Sequence, residues 1–274
     1  MESFFSFLSK RVDDASSLIC VGLDPHISDL KSPSADAALS FCSDLVRATS
    51  RYAAAFKPNA AFFEQFGAEG WHALKEVFNL IQEESDRLGS RILTIYDAKR
   101  GDISSTAEAY AKACFEELRA DSVTINPYLG KDSLTPFINT PEKGIFLLCK
   151  TSNPGSGDLQ DLRLESGELV YEHVARLALE WNTGDNIGLV VGATHPQAMA
   201  RVRAVNPTAW LLAPGLGAQG GELRACLQAG LRPDNKGILF PVSRGISRAA
   251  DKTKAAAEYR DSIINEINRR AKHG

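Results

Sequence analysis

Short apolar runs recur along the chain, each closed by glycine, proline or a polar cluster and followed by a helical pattern. They are Leu18 to Leu23, Ala53 to Phe56, Ile92 to Tyr96, Ser122 to Ile125, Ile145 to Cys149, Ile187 to Val191, Trp210 to Ala213 and Ile238 to Phe240, eight in all. The runs are apolar throughout rather than alternating, which suits strands buried on both faces, as in a parallel sheet. Between them, Ala107, Tyr110, Ala111, Cys114, Phe115 and Leu118 repeat at helical spacing, and so do Tyr259, Ile263 and Ile267 near the end. Such stripes mark helices with one buried face. Eight strand–helix alternations predict an α/β fold, a single (β/α)8 TIM barrel over residues 1–274 with its chemistry at the C-terminal ends of the strands. A doubly wound sheet is the structural alternative. It would place a glycine-rich dinucleotide fingerprint after the first strand, and Val21-Gly22-Leu23-Asp24-Pro25-His26 is not one.

Composition narrows the class. Of 274 residues, 44% are hydrophobic and 24% charged, enough apolar material for a full core. The net charge of −3 argues against a general affinity for nucleic-acid polymers, though not against a small phosphate site. Five cysteines at 20, 42, 114, 149 and 226 form no CxxC pair and no Cys–His cluster, and read as buried, reduced thiols of a cytoplasmic protein. The opening segment lacks the basic flank and long apolar core of a signal peptide. No apolar stretch is long enough to span a membrane, so no membrane partner is expected.

Polar residues that directly follow buried runs are expensive unless paired, so several converging on one barrel mouth point to a site. Asp24 follows the first run, Lys57 and Asn59 the second, Asp97 and Lys99 the third, and Asn126 the fourth. Lys150 and Ser152 follow the fifth, Thr194 and His195 the sixth, Pro214, Gly215 and Gln219 the seventh, and Ser243 and Arg244 the eighth. The densest group is Asp97-Ala98-Lys99-Arg100-Gly101-Asp102. In a regular strand, Asp97 and Lys99 point to the same side. Acids flanking a lysine hold it protonated, which is poor for a Schiff base and good for stabilising an anion and then donating a proton. Lys57 extends the array to Lys-Asp-Lys-Asp. The competing reading is a surface ion-pair network.

A second group is Pro214-Gly215-Leu216-Gly217-Ala218-Gln219-Gly220-Gly221, running into a helical stretch. A glycine-rich loop at a helix start aims backbone N–H groups at an anion, and Arg244 can add a bidentate contact to the same phosphate. The competing reading is a flexible turn. The stretch Thr151 to Gly167 is a long polar segment between strand and helix, either a lid or a disordered insertion. His72 and His173 lie in helical stretches. His195 reads first as a loop residue before a helix that starts at Pro196. No His–carboxylate set has metal-site spacing, so no metal is expected.

Asp97-x-Lys99-x-x-Asp102, the Pro214–Gly221 loop and Ser243-Arg244-Gly245 together resemble orotidine 5'-phosphate decarboxylases. Phe56-Lys57-Pro58-Asn59-Ala60-Ala61-Phe62-Phe63-Glu64 resembles the longer-chain bacterial branch of that family. The Asp-x-Lys-x-x-Asp signature is shared with magnesium-dependent sugar-phosphate decarboxylases, where an acid stands in the place of Lys57. The resemblance implies cofactor-independent loss of CO2 from orotidine 5'-phosphate, giving UMP in the last step of pyrimidine biosynthesis. It implies that Lys57, Asp97, Lys99 and Asp102 form the charged array and that Lys99 stabilises and protonates the C6 carbanion. It gives Asp24 the ribose hydroxyls and Ser152 the pyrimidine. Gln219 and Arg244 take the phosphate with the loops around Pro214, Gly215, Gly220 and Ser243. Asn59 and Thr106 complete the substrate contacts. It also implies a homodimer in which Asp102, Ile103 and Thr106 reach the partner's site. Three alternatives stand beside it: an aldolase with Lys150 or Lys57 as Schiff base, a magnesium-dependent decarboxylase, and a non-catalytic phosphate-binding barrel.

Overall fold

The computed structural model describes residues 2–216 and 220–273. Eight parallel strands close into a barrel in chain order. They are β1 Ile19–Leu23, β2 Ala55–Pro58, β3 Leu93–Arg100, β4 Ser122–Ile125, β5 Gly144–Lys150, β6 Ile187–Val191, β7 Leu211–Leu212 and β8 Ile238–Val242. The apolar runs locate every strand, most ends to within one residue, and three strands depart further. β2 starts and stops two residues later than its run, β3 continues to Arg100, and β8 continues to Val242. For β2 and β3 the reason is shared. A backbone goes on pairing with its neighbour after the side chains turn polar, so Lys57, Asp97 and Lys99 belong to strands rather than to the loops beyond them.

Helices alternate with the strands. α1 Phe4–Ala15 precedes the barrel, and α2 Ala35–Thr49, α3 Ala61–Glu64, α4 Gly67–Leu88, α5 Ser104–Lys112 and α6 Thr135–Ile138 cover its first half. α7 Gly157–Gln160, α8 Val170–Trp181, α9 Pro196–Val205, α10 Gly220–Gly230, α11 Arg244–Ser247 and α12 Lys252–His273 complete it. The predicted stripes are the buried faces. Ala107, Ala111, Cys114 and Leu118 are buried along α5 and the π-helical turn that follows it, and Ile263 and Ile267 are buried on α12. Among the described residues no helix is long and apolar enough to cross a membrane.

The bottom of the barrel is plugged by α1. Its Arg11 donates to the carbonyls of Ser50 and Ala53 ahead of β2, and Ser3 donates to Asp185 ahead of β6. Phe5 stacks on Trp210, and both Phe4 and Phe5 meet Phe146 edge-on. Gly144 makes this possible, because a Cβ there would stand 2.3 Å from the Phe4 ring. With one end filled by aromatic rings, the charged cavity lies at the opposite mouth.

Candidate active site

At that mouth, β2 and β3 bring three charges together. Lys57 Nζ donates to Asp97 Oδ2 and Lys99 Nζ donates to Asp97 Oδ1, each at 2.6 Å. The Lys57 and Asp97 side chains are 9% and 11% exposed, whereas that of Lys99 is 52% exposed and faces the open mouth. Burial alone would lower the Lys57 ammonium, but the carboxylates of Asp97 and Asp24 outweigh it and hold the group above its ordinary value. Burial likewise pushes the Asp97 carboxyl up, and the two ammonium groups overcome that and hold it well below the carboxylate range. Lys57 is therefore a fixed cation, unsuited to a Schiff base, which needs a depressed pKa.

Asp97 and Lys99 do meet, but not through regular strand alternation. Tyr96 pairs with Val123 and Arg100 with Ile125, so Asp97, Ala98 and Lys99 of β3 face the single residue Thr124 of β4. Such a bulge re-aims side chains. Lys99 takes a φ of +48°, a left-handed conformation that costs a non-glycine residue roughly 1–3 kcal/mol. Its backbone N–H donates to Thr124 Oγ1 at 2.9 Å, and the Thr124 hydroxyl donates to Asp97 Oδ1 at 3.1 Å.

The charges line a cavity of about 510 Å³. Lys57, Asp97, Lys99 and Thr124 form one wall, and Leu148, Val190, Leu212, Pro214 and Pro241 give it apolar sides. The opposite wall is the segment after β5, including Ser152, Asn153, Leu159 and Gln160. That segment is folded rather than disordered. A 3-10 turn at Pro154–Ser156 leads into α7, and Gln160 is bonded to both the N–H and the hydroxyl of Thr151, each at 2.9 Å.

Lys150 corrects one expectation. The register of β5 against β6 slips between Leu148 and Lys150, and the Lys150 side chain lies away from this cavity. Its ammonium meets Asp161 at 2.7 Å and Ser156 Oγ at 3.2 Å, and stands over the Tyr171 ring. It ties down the folded segment and is not placed to attack a substrate carbonyl.

The remaining predicted residues surround this wall without all joining it. Asp24, Asn59, Gly215, Ser243 and Arg244 do not line the cavity. Asp24 follows β1, and its Oδ1 is buried without a partner among the described residues. Gly22 lets β1 approach Ser243, since a Cβ on it would stand 2.9 Å from the Ser243 Cβ. Asn59 Oδ1 accepts the N–H of Ala61, the first residue of α3. Ser243 precedes α11, and Arg244 opens it, exposed. Asp102 stands outside the array, its carboxylate accepting the N–H of Ile103, while Ile103 and Thr106 are exposed at the start of α5. Gly220 opens α10, and Gln219 lies outside the described residues. His195 stands at the N-terminal end of α9, and its Nε2 is buried without a partner among the described residues.

Sequence reasoning missed Thr124 and the Gln160–Thr151 clasp. The first sits inside an apolar run as an ordinary β-branched strand residue. The second depends on a fold of the segment that composition does not reveal.

Residues 17–259 match the profile of the orotidine 5'-phosphate decarboxylase / HUMPS family. Orotidine 5'-phosphate decarboxylase of Roseiflexus sp. (strain RS-1) is 48% identical over 254 residues, covering 90% of this chain and 90% of that protein. The same-named protein of Roseiflexus castenholzii is 46% identical over 272 residues, covering 95% of this chain and 97% of the relative. Among solved structures, Leishmania donovani OMP decarboxylase superposes with a TM-score of 0.86 at 50% identity, covering 96% of this chain and 98% of the other.

Proposed function

This chain belongs to the orotidine 5'-phosphate decarboxylase / HUMPS family, and we propose that it removes CO2 from orotidine 5'-phosphate by means of the ammonium of Lys99. The reaction is the last step of UMP biosynthesis. When the bond from C6 to the carboxylate breaks, its electron pair remains on C6 in an orbital lying in the ring plane. The ring π-system cannot take it up, so stabilisation must come from a fixed positive charge in a site of low polarity. The observation that carries the reading is the Lys99 ammonium, held 2.6 Å from Asp97 at the wall of the apolar-sided cavity. As CO2 leaves, a proton passes from Lys99 Nζ to C6, and the neutral amine regains one from solvent.

One preorganised donor contributes roughly 3–4 kcal/mol to a transition state. Enzymes lower barriers by about 8–23 kcal/mol, so Lys99 cannot act alone. Binding energy from the phosphate and ribose must align the ring over it. We assign the phosphate to Arg244, Gln219 and the backbone around Pro214, Gly215, Gly220 and Ser243, and the ribose hydroxyls to Asp24 with Asn59. The buried, unpartnered Asp24 Oδ1 supports its assignment. Ser152, on the cavity wall, is assigned to the pyrimidine. Asp97 fixes the two lysines, and its repulsion of the substrate carboxylate is a secondary effect.

Asp102 completes the array from a second copy of the chain in this reading, with Ile103 and Thr106 at the contact. Supporting this, Asp102 does not pair with Lys99 within one chain, and Ile103 and Tyr128 expose 51% and 78% of their surface. We read residues 1–274 as one catalytic barrel. Its five buried free thiols suit the reducing cytoplasm.

The direct test is the loss of orotidylate absorbance on adding the purified protein with a chelator present. Turnover under those conditions supports the reading. Turnover that the chelator abolishes, or UMP binding without CO2 release, contradicts it.

A further inference from the structure

The geometry points to Thr124 as a positioning residue for the two charges at the reaction centre, an inference that rests on the role given to Lys99 above. Thr124 is 2% exposed, and it is the single β4 residue opposite the three bulged residues of β3. Its hydroxyl does two things at once. The oxygen accepts the backbone N–H of Lys99 at 2.9 Å, and the proton goes to Asp97 Oδ1 at 3.1 Å. An ionised carboxylate only accepts, so the polarity of this relay is fixed.

Asp97 Oδ1 also accepts the side-chain ammonium of the same Lys99, at 2.6 Å. The contacts therefore close a ring, from the Lys99 backbone through one hydroxyl to one carboxylate oxygen and back to the Lys99 head group. Both ends of a long, flexible side chain are referenced to a single buried point. That matters because Lys99 carries a left-handed backbone, at a φ of +48°, which persists only where its surroundings over-determine it. In addition, its head group is the half-exposed member of the array, so burial alone does not hold it. Valine has nearly the shape of threonine but neither donates nor accepts. It would release the Lys99 N–H and free one lone pair of Asp97 Oδ1, leaving the ammonium able to swing across the open mouth.

Binding contacts assigned to phosphate and ribose arise elsewhere, after β1, β2, β7 and β8. The loss should therefore fall on kcat rather than KM. A displacement of about 1 Å in a catalytic group lowers rates by about a hundredfold. The experiment compares wild type, Thr124→Val, Thr124→Ser and Lys99→Ala, measuring kcat and KM for orotidine 5'-phosphate, affinity for UMP, and Tm. We expect Thr124→Val to lose about a hundredfold in kcat with KM and UMP affinity little changed, and Thr124→Ser, which keeps the hydroxyl, to recover most of the rate. If the valine variant does not fold, Thr124→Ala replaces it, with the same expectation and the same serine rescue. An unchanged kcat, equal losses in the valine and serine variants, or a parallel collapse of UMP affinity would each overturn the inference. Retained turnover in Lys99→Ala would instead overturn the catalytic reading itself, so the two failures are told apart.

Discussion

Lys57 Nζ stands 2.6 Å from Asp97 Oδ2 in an ion pair almost wholly withdrawn from water. Removing one partner of such a pair leaves an uncompensated buried charge and costs about 3–5 kcal/mol. Asp97→Ala should therefore lose stability on that scale by denaturant titration near neutral pH, besides losing activity. A variant as stable as the wild type would show that the pair is not held as described.

The same pair sets a pH window. The Asp97 carboxyl lies below its ordinary value of 3.8 in the folded chain, so its contribution is in place above 3.8 and is lost as pH falls through the lowered value. The Lys57 ammonium lies above its ordinary value of 10.5, so its contribution is in place below 10.5 and is lost as pH rises through the raised value. The stability gap between wild type and Asp97→Ala should stay level around neutral pH, narrow in acid as Asp97 is protonated, and narrow in alkali as the variant's Lys57, without Asp97, gives up its proton before the wild type's does. Unfolding free energies measured across the range check this, and a gap that widens in acid would contradict it.

In the proposed mechanism turnover depends on Lys99. Lys99→Ala should abolish CO2 release while UMP binding, measured by calorimetry, stays detectable. The phosphate and ribose contacts assigned above do not pass through position 99. An unchanged kcat would remove the catalytic assignment.

Much of this was legible in the sequence because charges directly after apolar runs are rare and costly. Lys57, Asp97 and Lys99 stood out for that reason, and the structure brings them together. What was not legible depends on register. Thr124 lies in Ser122-Val123-Thr124-Ile125, where a threonine is an ordinary strand residue. Its two contacts exist only because β3 slips against β4. Lys150 reads like the other rim cations, and only the slip between β5 and β6 turns it outward to Asp161. A single sequence shows which residues reach the rim, but not which way a bulge turns them.

That outward turn makes a prediction of its own. The Lys150–Asp161 pair and the Gln160–Thr151 clasp hold the segment whose inner side forms a cavity wall. Lys150→Met should loosen it, raising amide hydrogen exchange across 151–167 and raising KM. Asp161 is half exposed and loses little by being left in water. Exchange unchanged in that segment would show that the pair does not restrain it.

At the opposite side of the mouth, Arg244 opens α11 beside Ser243. If it holds the phosphate, Arg244→Ala should weaken orotidine 5'-phosphate far more than the bare nucleoside, because the lost bidentate contact has no counterpart without the phosphate. Steady-state kinetics on both substrates decide the matter. Equal losses would place Arg244 away from the phosphate.

The position of Asp102 allows a test that separates one chain from two. Within its own chain its carboxylate accepts the N–H of Ile103 and stays apart from Lys99. Suppose the partner supplies it. A hybrid of a Lys99→Ala chain and an Asp102→Ala chain then has one site carrying both lesions and one site carrying neither. Each variant alone forms two defective sites and should be inactive. Random mixing makes half the dimers hybrid, each with one of its two sites intact, so activity should return to about a quarter of the wild-type value. If Asp102 instead serves its own chain, every site in every dimer keeps one lesion, and mixing restores nothing. Co-refolding the two variants and assaying CO2 release distinguishes the arrangements, because only a shared site can be rebuilt from two broken ones.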